Sequence, residues 1–225
     1  MTGRVFNVAA LADAATKIAE YALAFGRIDR AVCRHPDGTP ESDTDHTVGL
    51  AWFATALAAA CEPSLDTGLV AQALLVHDAV EVFAGDTPTL RITSQERAAK
   101  ADREREAADR WRAEFGSVLP WLPTMIDRYE AQEEPEVRFA RAADKIAPKF
   151  LHMINGCADL AGHGVTAEEL EGILTAQRQD ISTYAGEFGT LLALYDEMAS
   201  RVLAALRETE ATWPESRVQQ AGRTS

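Results

Sequence analysis

Leu69–Asp86, LVAQALLVHDAVEVFAGD, is the stretch on which the fold turns. From Leu69 to Ala84 nearly every residue is apolar, the composition of a helix buried on most of its circumference. Three ionisable residues interrupt it: His77, Asp78 and Glu81. A buried charge without a partner is costly, so these three require a cation, a counter-charge or water in a cavity. On a continuous helix His77 and Glu81 lie one turn apart on a single face, with Asp78 about 100° round from His77. The spacing predicts a metal and a catalytic helper at this point of a helical core.

Working outward, Pro63, Ser64 and Asp66 start this helix and Gly85 closes it, before a turn at Asp86-Thr87-Pro88-Thr89. Upstream, Ser42–Asp45 offers several N-caps for a helix running to about Cys61, with His46 in its first turn. Trp52, Phe53 and Leu57 read as core by periodicity. The segment HPDGTPES before it is turn chemistry, preceded by an unusual basic concentration at Arg27, Arg30 and Arg34. Asn7 to Phe25 suits an amphipathic helix ended by Gly26. Downstream, residues 93–115 are charge-rich and read as an exposed helix with a solvated face. A short helix Thr124–Ala131 follows, and Pro135 then opens another running to about Ile154, with Pro148 kinking it or lying near its end. Gly156, Gly162 and Gly164 mark a loop, and Thr166 with Glu169 resembles a capping box. Helices are expected at about 167–186 and 188–209, then a polar tail over 211–225. Alternating strands and repeats are absent from this reading. The expected fold class is all-α, a single-domain bundle over residues 1–210.

Composition narrows the function. With 47% hydrophobic residues in 225, the chain can build a core without staples. A net charge of −13 argues against a nucleic-acid polymer as partner, because binding phosphate chains needs basic surface. An anionic small molecule remains compatible where the site is locally positive. Cys33, Cys61 and Cys157 are odd in number and widely spaced, which reads as reduced thiols. The opening residues soon meet Asp13, Lys17 and Glu20, unlike a secretory signal, and no uncharged apolar run reaches membrane length. The expectation is a cytoplasmic protein without a membrane partner.

Four residues have the right types to hold a divalent cation: His46, His77, Asp78 and Asp144. Imidazoles suit transition metals, and carboxylates add hard oxygen ligands and cancel charge. Helices of one bundle can bring such distant residues together, and four protein ligands leave positions for water and a substrate oxygen. Spacing alone is suggestive and not specific.

The order His46 … His77-Asp78 … Asp144 resembles the H…HD…D signature of the HD-domain metal-dependent phosphohydrolases. ESDTDHT resembles that family's segment around its first histidine. HDAVEVFAGDTPT is similar to the HD-E-GD-P segment of the 5′-deoxynucleotidase branch, and YEAQEEPEVRFARAADK to the stretch leading to the last aspartate. Together they cover roughly residues 20–155 in the proper order. The resemblance implies an HD-type helical bundle holding one divalent ion (Co²⁺, Mn²⁺, Mg²⁺ or Fe²⁺) on His46, His77, Asp78 and Asp144. It implies Glu81 as the catalytic glutamate and Asp86 as a second catalytic acid. Arg27 matches the arginine that grips the substrate phosphate, with Arg30 the competing choice. Lys145 and Lys149 could add positive potential. The branch commonly has tryptophan after that arginine where this chain has Ile28, which leaves the sugar preference open.

The implied activity is removal of the 5′-phosphate from a (deoxy)nucleoside monophosphate by a homodimer. Two alternatives stand beside it: a triphosphohydrolase using the same metal site, and a non-catalytic nucleotide-binding helical module. Read without the resemblance, Glu81 would as readily be half of a structural ion pair, and Asp86 a turn residue. Tyr129 and Glu130 would be packing and solvent residues, and His35, His152 and His163 carry no assigned role.

Overall fold

A computed structural model describes residues 7–88 and 90–212. Thr89 of the expected turn and the expected tail beyond Thr212 lie outside these residues. The described chain is helical but for one small hairpin, in the order α1 (Val8–Phe25), β1 (Asp29–Arg34), β2 (Pro40–Ser42), α2 (Asp43–Cys61), α3 (Thr67–Val76) and α4 (Glu81–Ala84). There follow α5 (Ser94–Phe115), α6 (Trp121–Ala131), α7 (Pro135–Asp144), α8 (Ala147–Ile154), α9 (Ala158–Gly162), α10 (Ala167–Ala185) and α11 (Gly189–Glu210).

Local chemistry sets most of the boundaries. Asn7 accepts hydrogen bonds from the Ala9 and Ala10 amides to start α1. Ser42 and Asp45 form a reciprocal capping box at α2, and Thr93 and Glu96 form another at α5. Asp66 accepts from the Gly68 and Leu69 amides at α3. Thr166 accepts from the Glu169 amide at α10. Pro135 and Pro148 sit in the first turns of α7 and α8, where a missing N–H costs nothing.

Four expected elements differ. The helix over 69–84 is interrupted between Val76 and Glu81. The Leu74 carbonyl receives the His77 ring at 2.7 Å, and the following amides bond three residues back, Ala79 to Val76 and Glu81 to Asp78. Asp144 likewise ends α7, and Pro148 opens a new helix after it instead of kinking one long rod. The glycine-marked loop contains the short α9. The first helix after the Pro120 break also begins earlier than expected, at Trp121.

The hairpin was not expected. β1 and β2 pair antiparallel with an irregularity between Asp29 and Arg34, around a turn in which Gly38 has φ +87°. Side chains cap several backbone groups of β1: Asp86 accepts the Ala31 N–H at 2.7 Å, and His163 Nε2 lies 3.1 Å from the Ala31 carbonyl. Arg34 donates to the Arg30 carbonyl, and Asn155 donates to the Arg34 carbonyl.

α3 lies at the centre, packed against α2, α6 and α7. Ala54 and Ala58 on α2, Ala73 on α3, and Ala140 and Ala143 on α7 are fully buried, and these small residues let the three helices approach closely. Thr67–Ala84 has the length and hydropathy of a membrane span, but it carries Asp78 and Glu81 and contributes Val70, Ala73, Leu74 and Val76 to this core. Trp52 departs from the core expectation: it is 76% exposed, while Phe53 and Leu57 pack against the core. On the other flank Tyr21, Phe83, Trp111 and Phe115 meet edge-on or tilted and join α1 and α4 to α5. Trp111 also donates its indole N–H to the Ala79 carbonyl, which fixes the interrupted segment.

Phe139 is fully buried, its ring 5.2 Å from that of Phe188 and perpendicular to it. Phe139→Ala is expected to cost about 3–5 kcal/mol, read as a lower urea midpoint with an unchanged slope.

Candidate metal centre

His46, His77 and Asp144 come from the start of α2, the end of α3 and the end of α7, and all three are buried. One donor atom from each lies within 4.8 Å of the others. His46 Nε2 is 3.1 Å from Asp144 Oδ1, and His77 Nε2 is 3.9 Å from the same oxygen. The His77 Nδ1 donates its proton to the Leu74 carbonyl, so Nε2 is the ring nitrogen that faces the group. That Nε2 is buried and makes no hydrogen bond, although Asp78 Oδ2 lies 3.0 Å away. An imidazole nitrogen held in this way beside two carboxylates fits a divalent cation, which would take the place of the Nε2 proton.

Asp78 is adjacent but engaged otherwise. Its Oδ2 accepts from Arg30 Nη1 at 2.9 Å, and one of its oxygens groups with those of Asp43 and Glu81. The expected ligand set is therefore gathered as three residues plus a neighbour.

Electrostatics follow from burial opposed by counter-charge. Burial would raise the Asp144 carboxyl, yet Lys145, at 2.8 Å, and the two imidazoles hold it well below the usual range. Asp78 behaves alike: burial opposes ionisation, and His77 and Arg30 outweigh it to lower its pKa. Burial depresses His77, but Asp78 and Asp144 lift it to about 9. Glu81 is pushed up to about 9 by burial and by Asp78, Asp86 and Asp43, with Lys100 only partly offsetting them.

The remaining expectations sort by position. Arg30 reaches the cluster from β1, touching Glu41, Asp43 and Asp78, whereas Arg27 is exposed at the end of α1 and is not brought to it. Lys145 pairs with Asp144. Lys149 is buried and points elsewhere, to the Lys145 carbonyl and Gln177. Asp86 binds the backbone of β1. His152 pairs with Asp159 at 2.8 Å in the interior, and His35 lies 3.5 Å from Asp45. Three residues went unnoticed in the sequence. Glu41 lies 3.7 Å from His46 Nδ1, Lys100 reaches from α5 to within 3.4 Å of Glu81, and Asp43 is fully buried beside Arg30. The only signal for Lys100 was its place in a charge run, and Asp43 read as one cap among several.

The HD domain family model matches residues 27–184, which include every candidate ligand. The crystal structure of a predicted metal-dependent phosphohydrolase from Magnetospirillum magnetotacticum MS-1 superposes with a TM-score of 0.65 at 27% identity, covering 86% of this chain and 98% of that one. A conserved hypothetical protein from Pyrococcus furiosus has a TM-score of 0.50 at 20% identity, covering 73% of this chain and 99% of that one, a likeness of fold alone. No curated protein matches the chain.

Asp86→Ala strands the Ala31 amide and is expected to cost about 1–3 kcal/mol in urea unfolding, while Asp86→Asn keeps an acceptor and costs less. Equal losses in the two variants would show that the bond to β1 is not what Asp86 contributes.

Proposed function

Because the chain belongs to the HD-domain family, we propose that it is a metal-dependent phosphohydrolase that removes the 5′-phosphate from (deoxy)nucleoside monophosphates. The observation that carries this reading is the buried, unpartnered Nε2 of His77, facing His46 and Asp144. His46, His77 and Asp144 would hold the ion, with Asp78 beside them. A bound divalent ion contributes Lewis-acid polarisation of the phosphoryl group and activation of water.

The chain's own groups do the rest. The Leu74 carbonyl holds the His77 ring in one tautomer and one orientation. Arg30, whose side chain keeps 17% of its surface exposed, is placed to turn its planar fork to the phosphate and offset that charge. Water attacks phosphorus in line, and the bond to the 5′-oxygen breaks. Glu81, which burial keeps protonated at neutral pH, hands its proton from the otherwise unbonded Oε2 to the leaving oxygen. Lys100 beside Oε1 then balances the carboxylate that remains. The homodimer belongs to the same proposal: Val48 and Trp52 lie one turn apart on α2 and are exposed, and light scattering tests whether two copies associate.

Phosphate release from nucleoside mono-, di- and triphosphates with Mn²⁺, Co²⁺ or Mg²⁺, alongside chromatography of the products, tests the activity. Turnover of monophosphates is expected, lost on chelation and restored by added metal. His77→Ala and Asp144→Ala should each lower kcat/KM on the order of 10³-fold, about 4 kcal/mol of transition-state stabilisation. Arg30→Ala should raise KM more than Arg27→Ala does. Tripolyphosphate as product would favour the triphosphohydrolase instead. Absence of turnover on every nucleotide, with His77→Ala indistinguishable from wild type, would end the proposal.

A further inference from the structure

Arg141 is half-buried on α7, one turn before Asp144 and on the same face of that helix. The other half-buried arginines are engaged: Arg30, Arg128, Arg138 and Arg178 pair with carboxylates, and Arg34 donates to three backbone carbonyls. Arg141 has neither an ion pair nor a hydrogen bond among the described residues, although the chain holds 35 acidic residues against 22 Lys and Arg. It acts on the Glu130 carboxylate through space, without pairing to it. Its guanidinium stands 5.9 Å from the centre of the Tyr129 ring, and that ring is 6.1 Å from His77. The shared neighbour places Arg141 beside the metal centre. Tyr184, on the packed helix α10, brings a buried hydroxyl that has no hydrogen-bond partner. Burial raises the pKa of that hydroxyl, and Arg141 is the charge that most opposes the rise. An unpaired cation and an unsatisfied buried donor lack the same thing, an oxyanion that accepts from both.

We propose that Arg141 and Tyr184 form a phosphate subsite on the α7–α10 side of the metal centre, which takes a second phosphate group of the substrate. The inference rests on the preceding reading and narrows its substrate class to nucleosides that carry two phosphates, on separate oxygens or in one chain. Arg30 is met by three carboxylates, Asp78 at 2.9 Å, Glu41 at 3.4 Å and Asp43 at 3.7 Å, so most of its charge is answered from within. Arg141 keeps its whole charge for a ligand, and its planar fork matches two phosphate oxygens. The Tyr184 hydroxyl then donates to an oxygen of the same group.

The full chain, freed of metal with chelator and dialysed, is titrated with inorganic phosphate and followed by the broadening of the phosphorus NMR line. Saturable binding is expected in wild type. Arg141→Gln should weaken it about tenfold or more and Tyr184→Phe roughly threefold, while Arg141→Lys, which keeps the charge but loses the fork, falls between wild type and Arg141→Gln. Circular dichroism melts check that each variant folds, and Tyr184→Phe removes a single oxygen. With Mn²⁺ restored, turnover of a nucleoside 3′,5′-bisphosphate and of a 5′-diphosphate is compared with that of the 5′-monophosphate. Wild type should show the lower KM for one of the doubly phosphorylated substrates, which tells where the second group sits. Arg141→Gln should cut the kcat/KM ratio of that substrate to the monophosphate about tenfold. An unchanged ratio, or no wild-type preference for either substrate, overturns the subsite. So does metal-free phosphate binding that is absent in wild type or equal in wild type, Arg141→Gln and Tyr184→Phe, and these results leave phosphohydrolysis standing. Phosphate binding lost in Arg141→Gln, without turnover of any nucleotide, instead ends the preceding reading alone.

Discussion

The hydrogen bond from the His77 ring to the Leu74 carbonyl organises the centre of this molecule. It takes up a carbonyl at the end of α3, and the chain tightens into i to i+3 bonds before α4 begins. The same bond fixes the tautomer and turns Nε2 inward. His77, followed by Asp78, thereby turns from the end of α3 to meet His46 of α2 and Asp144 of α7. The Trp111 indole, bonded to Ala79 from the outer helix α5, braces the segment from behind.

Around that point the fold solves a charge problem. The buried acids Glu41, Asp43, Glu81 and Asp144, with Asp78 beside them, face Arg30 from the hairpin, Lys100 from α5 and Lys145 at the end of α7. Each cation arrives from a different element, so assembling the site requires the whole bundle and not α3 alone.

Much of this was legible in the sequence. The N-caps at Ser42, Asp66 and Thr166 announced their helices, because a side-chain oxygen facing orphan amides leaves a local signature. The convergence of His46, His77 and Asp144 followed from residue type and from a family resemblance, since nothing local records contacts between distant helices. The hairpin stayed hidden because DRAVCR has no clean alternation and its partner strand is three residues long. Trp52 was misplaced because α2 is apolar on nearly every side, so periodicity could not select a face. Asp43 and Lys100 were camouflaged by what each resembles locally, a cap and one member of a solvated charge run.

The side chains gathered on β1 have a bearing on how the molecule behaves in a crowd. A two-stranded ribbon ordinarily offers a free rim of amides and carbonyls to any extended peptide that passes. Here Asp86, His163, Arg34 and Asn155 occupy backbone groups of Ala31, Arg30 and Arg34. The rim is thus closed to strand recruitment, and the element that carries Arg30 is guarded against the templated self-association that unprotected ribbons invite.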